Sequence, residues 1–388
     1  MNGWQLIRRT EPREWGSVAV FATAFAVSLA ICALLLQVQG HNGAGGVWLL
    51  LKGGFGHVYS YGEILLKAIP IFLCSLGVAL CFRLQVWNIG AEGQYVIGTL
   101  GGCWFVLNFP GLPAWLVLPG TLAAAMLSGG IWAGLAALLR QRWGMNEIIS
   151  TLMLNYIGIE ILNHLIYGSW RDPAAMNQAV GPYFPPAAVI GRIWDSDFWL
   201  KHGVSEGTAD FFFQFFGRAH WGVLSCILAG LLCSFLLRKS RLGYEITAAG
   251  SNPRAARTAG ISYNRLVILV MFLCGALAGL AGFQECSANL ERLEPNIVMG
   301  YGYTAVVVAW LARLRIMRIA LFTLVLAGLR FGVENIEQDL QISHAFANTL
   351  EGIILITVLA GQLFNDYKIS RKGRPAASGA TGGEERGS

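Results

Sequence analysis

Residues Asn88 to Gln94 read Asn-Ile-Gly-Ala-Glu-Gly-Gln and lie between apolar runs of membrane length. A carboxylate, two amides and two glycines are costly to keep at the edge of hydrocarbon or inside it, so they face a bundle interior or a wet cavity. Glycines at such a place let a helix break and offer its freed backbone groups to a ligand or a second helix. A second polar group, Asn146, Glu147, Asn155, Glu160, Asn163 and His164, falls on the run Glu147–Tyr167. There Glu147, Thr151 and Asn155 stand at i, i+4 and i+8, on one helical face that must meet protein or water. These groups can recognise a polar solute by hydrogen bonding. The candidate pathway residues are therefore Asn88, Glu92, Gln94, Glu147 and Asn155. The competing role for each is interhelical hydrogen bonding; for Glu92 it is pinning a broken helix to a neighbour.

Bond-making chemistry has no comparable support. The chain has no Gly-Lys dipeptide and hence no P-loop, no His-Glu-x-x-His and no nucleophile elbow. Its six histidines are scattered, and His164, the one well inside an apolar run, reads as a hydrogen-bonded core residue. The eight cysteines show no Cys-x-x-Cys and mostly lie in apolar runs, as small buried thiols do. No metal or cofactor is expected on this chain.

The elements that position these residues are membrane helices. Of 388 residues, 55% are hydrophobic and 13% charged, with mean hydropathy +0.54. A crossing takes roughly 20 apolar residues. Ten runs are expected: Ser17–Gln37, Glu63–Phe82, Ile89–Leu107, Leu112–Leu139, Glu147–Tyr167, Trp221–Leu237, Leu266–Gln284, Tyr301–Leu314, Ile319–Phe331 and Ala345–Phe364. The eighth and ninth are short enough to be tilted, broken or re-entrant. The N-terminal run resembles a signal peptide but has no clear cleavage site, so it is expected as a retained helix. With the N-terminus inside, 20 of the 28 Lys and Arg residues fall in cytoplasmic segments, which places both termini in the cytoplasm. Lys67 and Arg330 remain within runs and are expected near their ends. The net charge of +6 follows this asymmetry and implies no nucleic acid. The fold class expected is an all-α polytopic membrane protein. It comprises a cytoplasmic N-terminus (1–16), a transmembrane domain (17–366) and a disordered cytoplasmic tail (367–388). Asn88-Ile89 and Asn296-Ile297 each open a glycine-containing run five spans apart, as in an inverted repeat with broken helices.

Two loops stand out. The outer loop 169–220 holds Pro182, Pro185, Pro186 and many aromatics, and is able to cap the outer mouth. The cytoplasmic loop 238–265 places Asn252 as an N-cap, Pro253 at the first helical position and Gly260 as a terminator, predicting a helix over 253–259. Gly250, Asn252, Pro253, Ala255, Ala256 and Gly260 give this loop a small surface that a partner protein can grip; a plain connector is the alternative.

At this point a resemblance becomes specific. Pro70–Gly98 (PIFLCSLGVALCFRLQVWNIGAEGQYVIG), Asn146–Ile157, Arg171–Gln178, Ala248–Ile261, Gly275–Gly282 and Gly300–Leu314 resemble, in order, the permease subunits of bacterial ABC importers for nucleosides and simple sugars. The aromatic segment Trp194–Phe216 matches no pattern of that family. The resemblance implies a multi-pass protein of the bacterial cytoplasmic membrane without its own ATPase site. It implies a cytosolic ABC ATPase that hydrolyses ATP and pulls on residues 252–260. It also implies a periplasmic or lipid-anchored solute-binding protein, and a sibling permease in a heterodimer, a homodimer being the alternative. A neutral nucleoside is the expected solute, because amides and aromatics interleave and no dense Lys/Arg cluster lies in the runs. A ribose-like sugar or a vitamin with a ribityl chain is the alternative. An integral membrane enzyme or an ATP-independent channel fits the residues less well.

Overall fold

The computed structural model describes residues 4–8, 14–176 and 178–371. In chain order the elements are β1 (Trp4–Arg8), α1 (Glu14–Val38), α2 (Gly43–Phe55), α3 (Val58–Arg83), α4 (Ala91–Asn108), α5 (Ala114–Trp143) and α6 (Glu147–Tyr167). Next come α7 (Ser196–Lys201), α8 (Glu206–Phe216), α9 (Gly222–Lys239), α10 (Arg241–Ser251), α11 (Pro253–Thr258) and α12 (Tyr263–Glu285). The chain ends with α13 (Tyr301–Leu311), α14 (Ile316–Asp339), α15 (His344–Asp366) and β2 (Tyr367–Arg371). Among the described residues, eight helices are long and apolar enough to cross a membrane: α1, α3, α5, α6, α9, α12, α14 and α15, in whole or in part. The protein is an all-α membrane protein apart from one terminal strand pair.

Two compact units divide the chain, residues 1–32 with 353–388, and 33–352. In the first, β1 pairs antiparallel with β2, Trp4 opposite Arg371 and Arg8 opposite Tyr367. The tail expected from residue 367 thus begins with a strand; residues 372–388, and residues 1–3 and 9–13 of the N-terminal segment, lie outside the described residues.

In the second unit, α3 and α12 form the centre, with 89% and 72% of their apolar windows buried. Helices α4 and α5 pack on α12, while α13 and α14 pack on α3. Each central helix therefore carries the pair that follows the other, the exchange expected when α3–α4–α5–α6 and α12–α13–α14–α15 repeat one plan. Small residues allow the close approach: Gly98 meets Gly279, and Gly275 meets Gly129, whereas Gly134 faces open space.

Two expectations about spans need correction. The chain Gly43–Phe55, read as an outer loop, is helix α2, only about 20 Å long at 1.5 Å per residue. Its five glycines hid it in the sequence, yet they let it lie along α14, where a Cβ on Gly54 would stand 2.5 Å from the Gly328 carbonyl oxygen. The ninth run is not short. It extends to Asp339 because Arg330 and Glu334 find ion-pair partners inside the bundle. The eighth is short, as expected: it is a half-helix, α13, of 11 residues.

Candidate functional site

The polar segment is a true break between helices. Helix α3 ends at Arg83; Gln85 takes the left-handed conformation (φ 60°), and α4 starts only at Ala91. Leu84, Gln85 and Val86 still donate to carbonyls of the last turn of α3, and beyond them side chains take over. Asn88 and Gln94 form a reciprocal amide pair, Asn88 Nδ2 donating to Gln94 Oε1 (3.2 Å) and Gln94 Nε2 to Asn88 Oδ1 (3.1 Å). The Gly90 amide donates to Asn88 Oδ1 (2.9 Å). From α6, Asn155 clamps the break on both sides: its Oδ1 accepts from the Gly93 amide (2.8 Å) and its Nδ2 donates to the Ile89 carbonyl (2.9 Å). Thr151 Oγ1 accepts from Ile89 N (3.3 Å). Asn88 and Asn155 are fully buried, Gln94 nearly so.

The second break spans residues 286–300. A π-helical turn, Cys286–Leu290, ends at Glu291 in the left-handed conformation, and Gly300 (φ 77°) caps α13. A side chain is strained at that φ, so glycine is the residue for the cap. The Glu92 carboxylate reaches this cap from α4, accepting from the amides of Gly300 (2.8 Å) and Gly302 (2.7 Å). Glu92 also stands in the first turn of α4. Two helix N-termini, each with free N–H groups and a partial positive charge, therefore converge on one buried carboxylate. A Cβ at position 302 would run into the Glu92 amide, so the two helix starts are in backbone contact. The two Asn-Ile segments noted in the sequence thus precede the two helix starts that meet here.

Sequence reading missed the ions that complete the second break. Lys67 and Arg330 do not sit near span ends. Both are more than nine-tenths buried, Lys67 paired with Glu334 (2.7 Å) and Arg330 with Glu351 (3.2 Å). The Arg330 guanidinium also donates to the Met299 carbonyl and lies over the Tyr301 ring, 4.6 Å from its centroid. Glu334 fell beyond the end of the ninth run and Glu351 inside the tenth, and a pairing between separate helices leaves no mark in the sequence. The loop 169–220 covers the same break: Gly181 N donates to Leu293 O (2.8 Å), Phe184 N to Glu291 O (2.8 Å) and Ser287 Oγ to Ala188 O (2.6 Å). Its aromatics pack on one another, Trp194 against Trp199 (5.1 Å) and Phe212 (4.7 Å). Arg218 holds Glu63 by two bonds (2.7 and 2.9 Å). At the loop's end His220 is buried, Nδ1 accepting from Gly222 N (3.1 Å), and burial pushes its pKa down to about 4.

Glu147 stands apart from this network, at the start of α6 beside Arg140 (3.5 Å). His164 is not a core residue: it is exposed on the open face of α6, where Tyr156, Glu160 and His164 border a cavity of about 430 Å³. Tyr303, 37% exposed, joins this face to the breaks through Asn155 Nδ2 (3.4 Å).

In the loop 238–265, Asn252 Oδ1 accepts from the amides of Arg254 and Ala255 (3.1 Å each), with Pro253 opening α11. Thr258 is the last helical residue, and Gly260 turns left-handed (φ 81°). Gly250 lets α10 press on the last turn of α3, against the Arg83 carbonyl. Helices α10 and α11 enclose a cavity of about 480 Å³ bordered by Tyr244, Ala248, Asn252 and Ala255. Ala255 is exposed, whereas Ala256 is buried within the chain.

Broken helices meeting tip to tip inside a polytopic bundle define a protein of the transporter class. Residues 60–359 match the model of the family described as branched-chain amino acid transport system / permease component, and the chain belongs to that family. It is similar to the glucose ABC transporter permease protein TsgB13 of Haloferax volcanii, 32% identical over 84% of this chain and 83% of the relative. It is also similar to the guanosine ABC transporter permease protein NupP of Bacillus subtilis, 30% identical over 90% and 96%. A second Bacillus subtilis protein, the guanosine ABC transporter permease protein NupQ, is 26% identical over 62% and 71%. No solved structure matches the chain significantly. The protein is thus a multi-pass permease component of an ABC transport system, a transport subunit of the kind that works with an ATPase and a solute-binding protein.

Proposed function

We propose that this permease imports a neutral nucleoside into a bacterial cytoplasm by alternating access. It does so in a heterodimer with a sibling permease, driven by a cytosolic ATPase and fed by a periplasmic or lipid-anchored binding protein. The observation that carries the reading is the meeting of the two breaks at Glu92 beside an open face rich in phenols. In this scheme Asn88, Glu92, Gln94 and Asn155 do not touch solute in the resting chain, since their polar atoms are spent on one another and on the backbone. They hold the breaks in shape, and Tyr156 and Tyr303 on the open face meet the solute. Aromatic faces suit a base, and phenolic hydroxyls suit ribose oxygens. Two relatives with guanosine in their names, of unequal similarity to this chain, support both a nucleoside and a two-permease system. A simple sugar is the second reading, favoured by the relative named for glucose.

ATP is bound and hydrolysed by the partner, with α10 and α11 as its grip. Termini on one side suit an even number of crossings, and the basic asymmetry puts that side in the cytoplasm. Competition for uptake in a strain carrying the whole system tests the solute: adenosine, guanosine, cytidine and uridine should compete, and ribose and glucose should not. The reverse pattern moves the assignment to sugars. Ala255→Glu should abolish uptake while the permease is made and inserted normally; unimpaired uptake would leave α11 a mere connector. Cysteines at Lys239 and Asp195 should label from opposite sides of the membrane.

A further inference from the structure

A groove of about 540 Å³ runs between α3, α9 and α14, away from both breaks and from the open face of α6. Helices α9 and α14 each pack on α3, and the space between them is open at the apolar surface of the bundle, where Ile227, Leu231 and Leu324 are exposed. Its floor is Phe72 and Cys226, with Gly230 opposite: a Cβ there would stand 3.4 Å from the Phe72 ring and 3.9 Å from Ile316. The α9 lining runs from Val223 to Arg238, about 22 Å of helix at 1.5 Å per residue. One leaflet of hydrocarbon is about 15 Å thick, half of the roughly 30 Å core. The groove is therefore long enough for a whole acyl chain.

What distinguishes it from ordinary lipid-facing surface is its basic end. Arg238 lines the groove itself, and Lys239 follows it. Across the groove Ile316 and Met317 are lining residues flanked by Arg315 and Arg318. Arg238, Lys239 and Arg315 are exposed, and none of the four cations has a salt bridge among the described residues. Ser234 lies one helical turn deeper than Arg238, where a glycerol ester carbonyl follows a phosphate down into the bilayer.

We propose that this groove is a binding site for one anionic phospholipid, its acyl chain laid between α9 and α14 and its phosphate held by Arg238 with help from Arg315 and Arg318. Basic pockets between membrane helices recognise anionic headgroups, each near-surface cation contributing about 1 kcal/mol, or roughly fivefold in affinity. The inference rests on the helices crossing a membrane and is independent of which solute is carried or which side is which.

Native mass spectrometry of the full-length permease, exchanged into detergent with phosphatidylglycerol or phosphatidylcholine of equal chain length, tests it. Wild type should retain one phosphatidylglycerol in preference to phosphatidylcholine. Arg238→Gln should lower that preference about fivefold while a lipid is still retained. Gly230→Leu, which fills the groove beside Phe72, should lose the retained lipid of either kind. Arg142→Gln, at the basic end of α5 and away from the groove, should change nothing. Equal retention of both lipids by wild type, or an equal loss from Arg142→Gln, overturns the proposal. A cysteine at Leu231 that cross-links to a second permease would also overturn it, since a protein then covers the groove.

Discussion

The break at 84–90 is held by neutral amides, whereas the break at 286–300 is held by charge. Asn88, Gln94 and Asn155 satisfy the first with hydrogen bonds alone. Glu92 and Arg330 satisfy the second with a carboxylate on two N–H groups and a guanidinium on a carbonyl and an acid. The difference follows from length. The first break is a few residues that two amides and a clamp from α6 can span. The second carries a π-helical turn, a left-handed Glu291 and a half-helix, and leaves more backbone to satisfy. Charged hydrogen bonds are stronger than neutral ones, but a charge buried without its partner is far worse than an amide without one. The second break is thus the tighter and the more brittle of the two.

The largest effect should come from removing a charge at the brittle break. Arg330→Met leaves Glu351 without its partner in the bundle and is expected to cost about 3–5 kcal/mol, seen as a lowered unfolding midpoint of the purified permease in detergent. Arg330→Met combined with Glu351→Gln should recover much of the loss. If Arg330→Met is as stable as wild type, the charges do not hold this break.

At the amide break the same operation should be milder. Asn155→Ala removes two neutral hydrogen bonds, to the Gly93 amide and the Ile89 carbonyl, and leaves space for water to take them up, at about 0.5–1.5 kcal/mol each. Insertion should survive while uptake falls, because the break is misplaced and the fold is not lost. An Asn155→Ala variant less stable than Arg330→Met would reverse the ranking of the two breaks.

Acid should separate them as well. His220, whose ring packs against Gly222 close to Gln284 at the end of α12, belongs to the surroundings of the charged break. Its pKa is about 4 in the fold against an ordinary 6.5. The unfolded chain therefore binds the extra proton between these values. Stability from this group is complete above pH 6.5 and declines as pH falls toward 4, by about 2 kcal/mol at pH 5 relative to pH 7. His220→Gln should remove that part of the acid sensitivity, and Asn155→Ala should leave it in place. An unchanged pH slope in His220→Gln would place the sensitivity elsewhere.

This contrast also marks how far the sequence could be read. The amide break was legible because all its members are polar residues in or beside apolar runs, where polarity alone calls for a partner. Asn252 and Pro253 were legible because capping is local, and α11 starts as they dictate. The charged break was half legible. Glu92 stood out, but its partners are backbone amides of Gly300 and Gly302, some 210 residues away, and an N–H group has no signature in sequence. Lys67 and Arg330 looked like strays because packing alone brings Glu334 to Lys67 and Glu351 to Arg330, and Glu334, one turn beyond Arg330 on α14, lay past the end of the expected run. His164 was misread for the opposite reason: one polar residue in an apolar run implies burial only if every face of that helix is covered, and one face of α6 is open. Helix α2 escaped because glycine lowers both hydropathy and helix propensity, and its reward, contact with α14, is tertiary.

The smallest effect is the most informative about transport. Glu92 and Gly93 are neighbours in the first turn of α4: the Glu92 side chain holds one break, and the Gly93 amide is held by Asn155 at the other. If α4 carries strain between them, the two breaks must move together during alternating access. A double-mutant cycle of Glu92→Gln and Asn155→Ala, read from unfolding midpoints, should give a coupling of about 0.5–1 kcal/mol, as for residues sharing one hydrogen-bonded turn. Uptake should then fall less in the double variant than the product of the single losses, since loosening one end already frees the other. Additive energies and multiplicative losses would mean that the two breaks are independent supports, with a movement that begins at α11 passing through one of them alone.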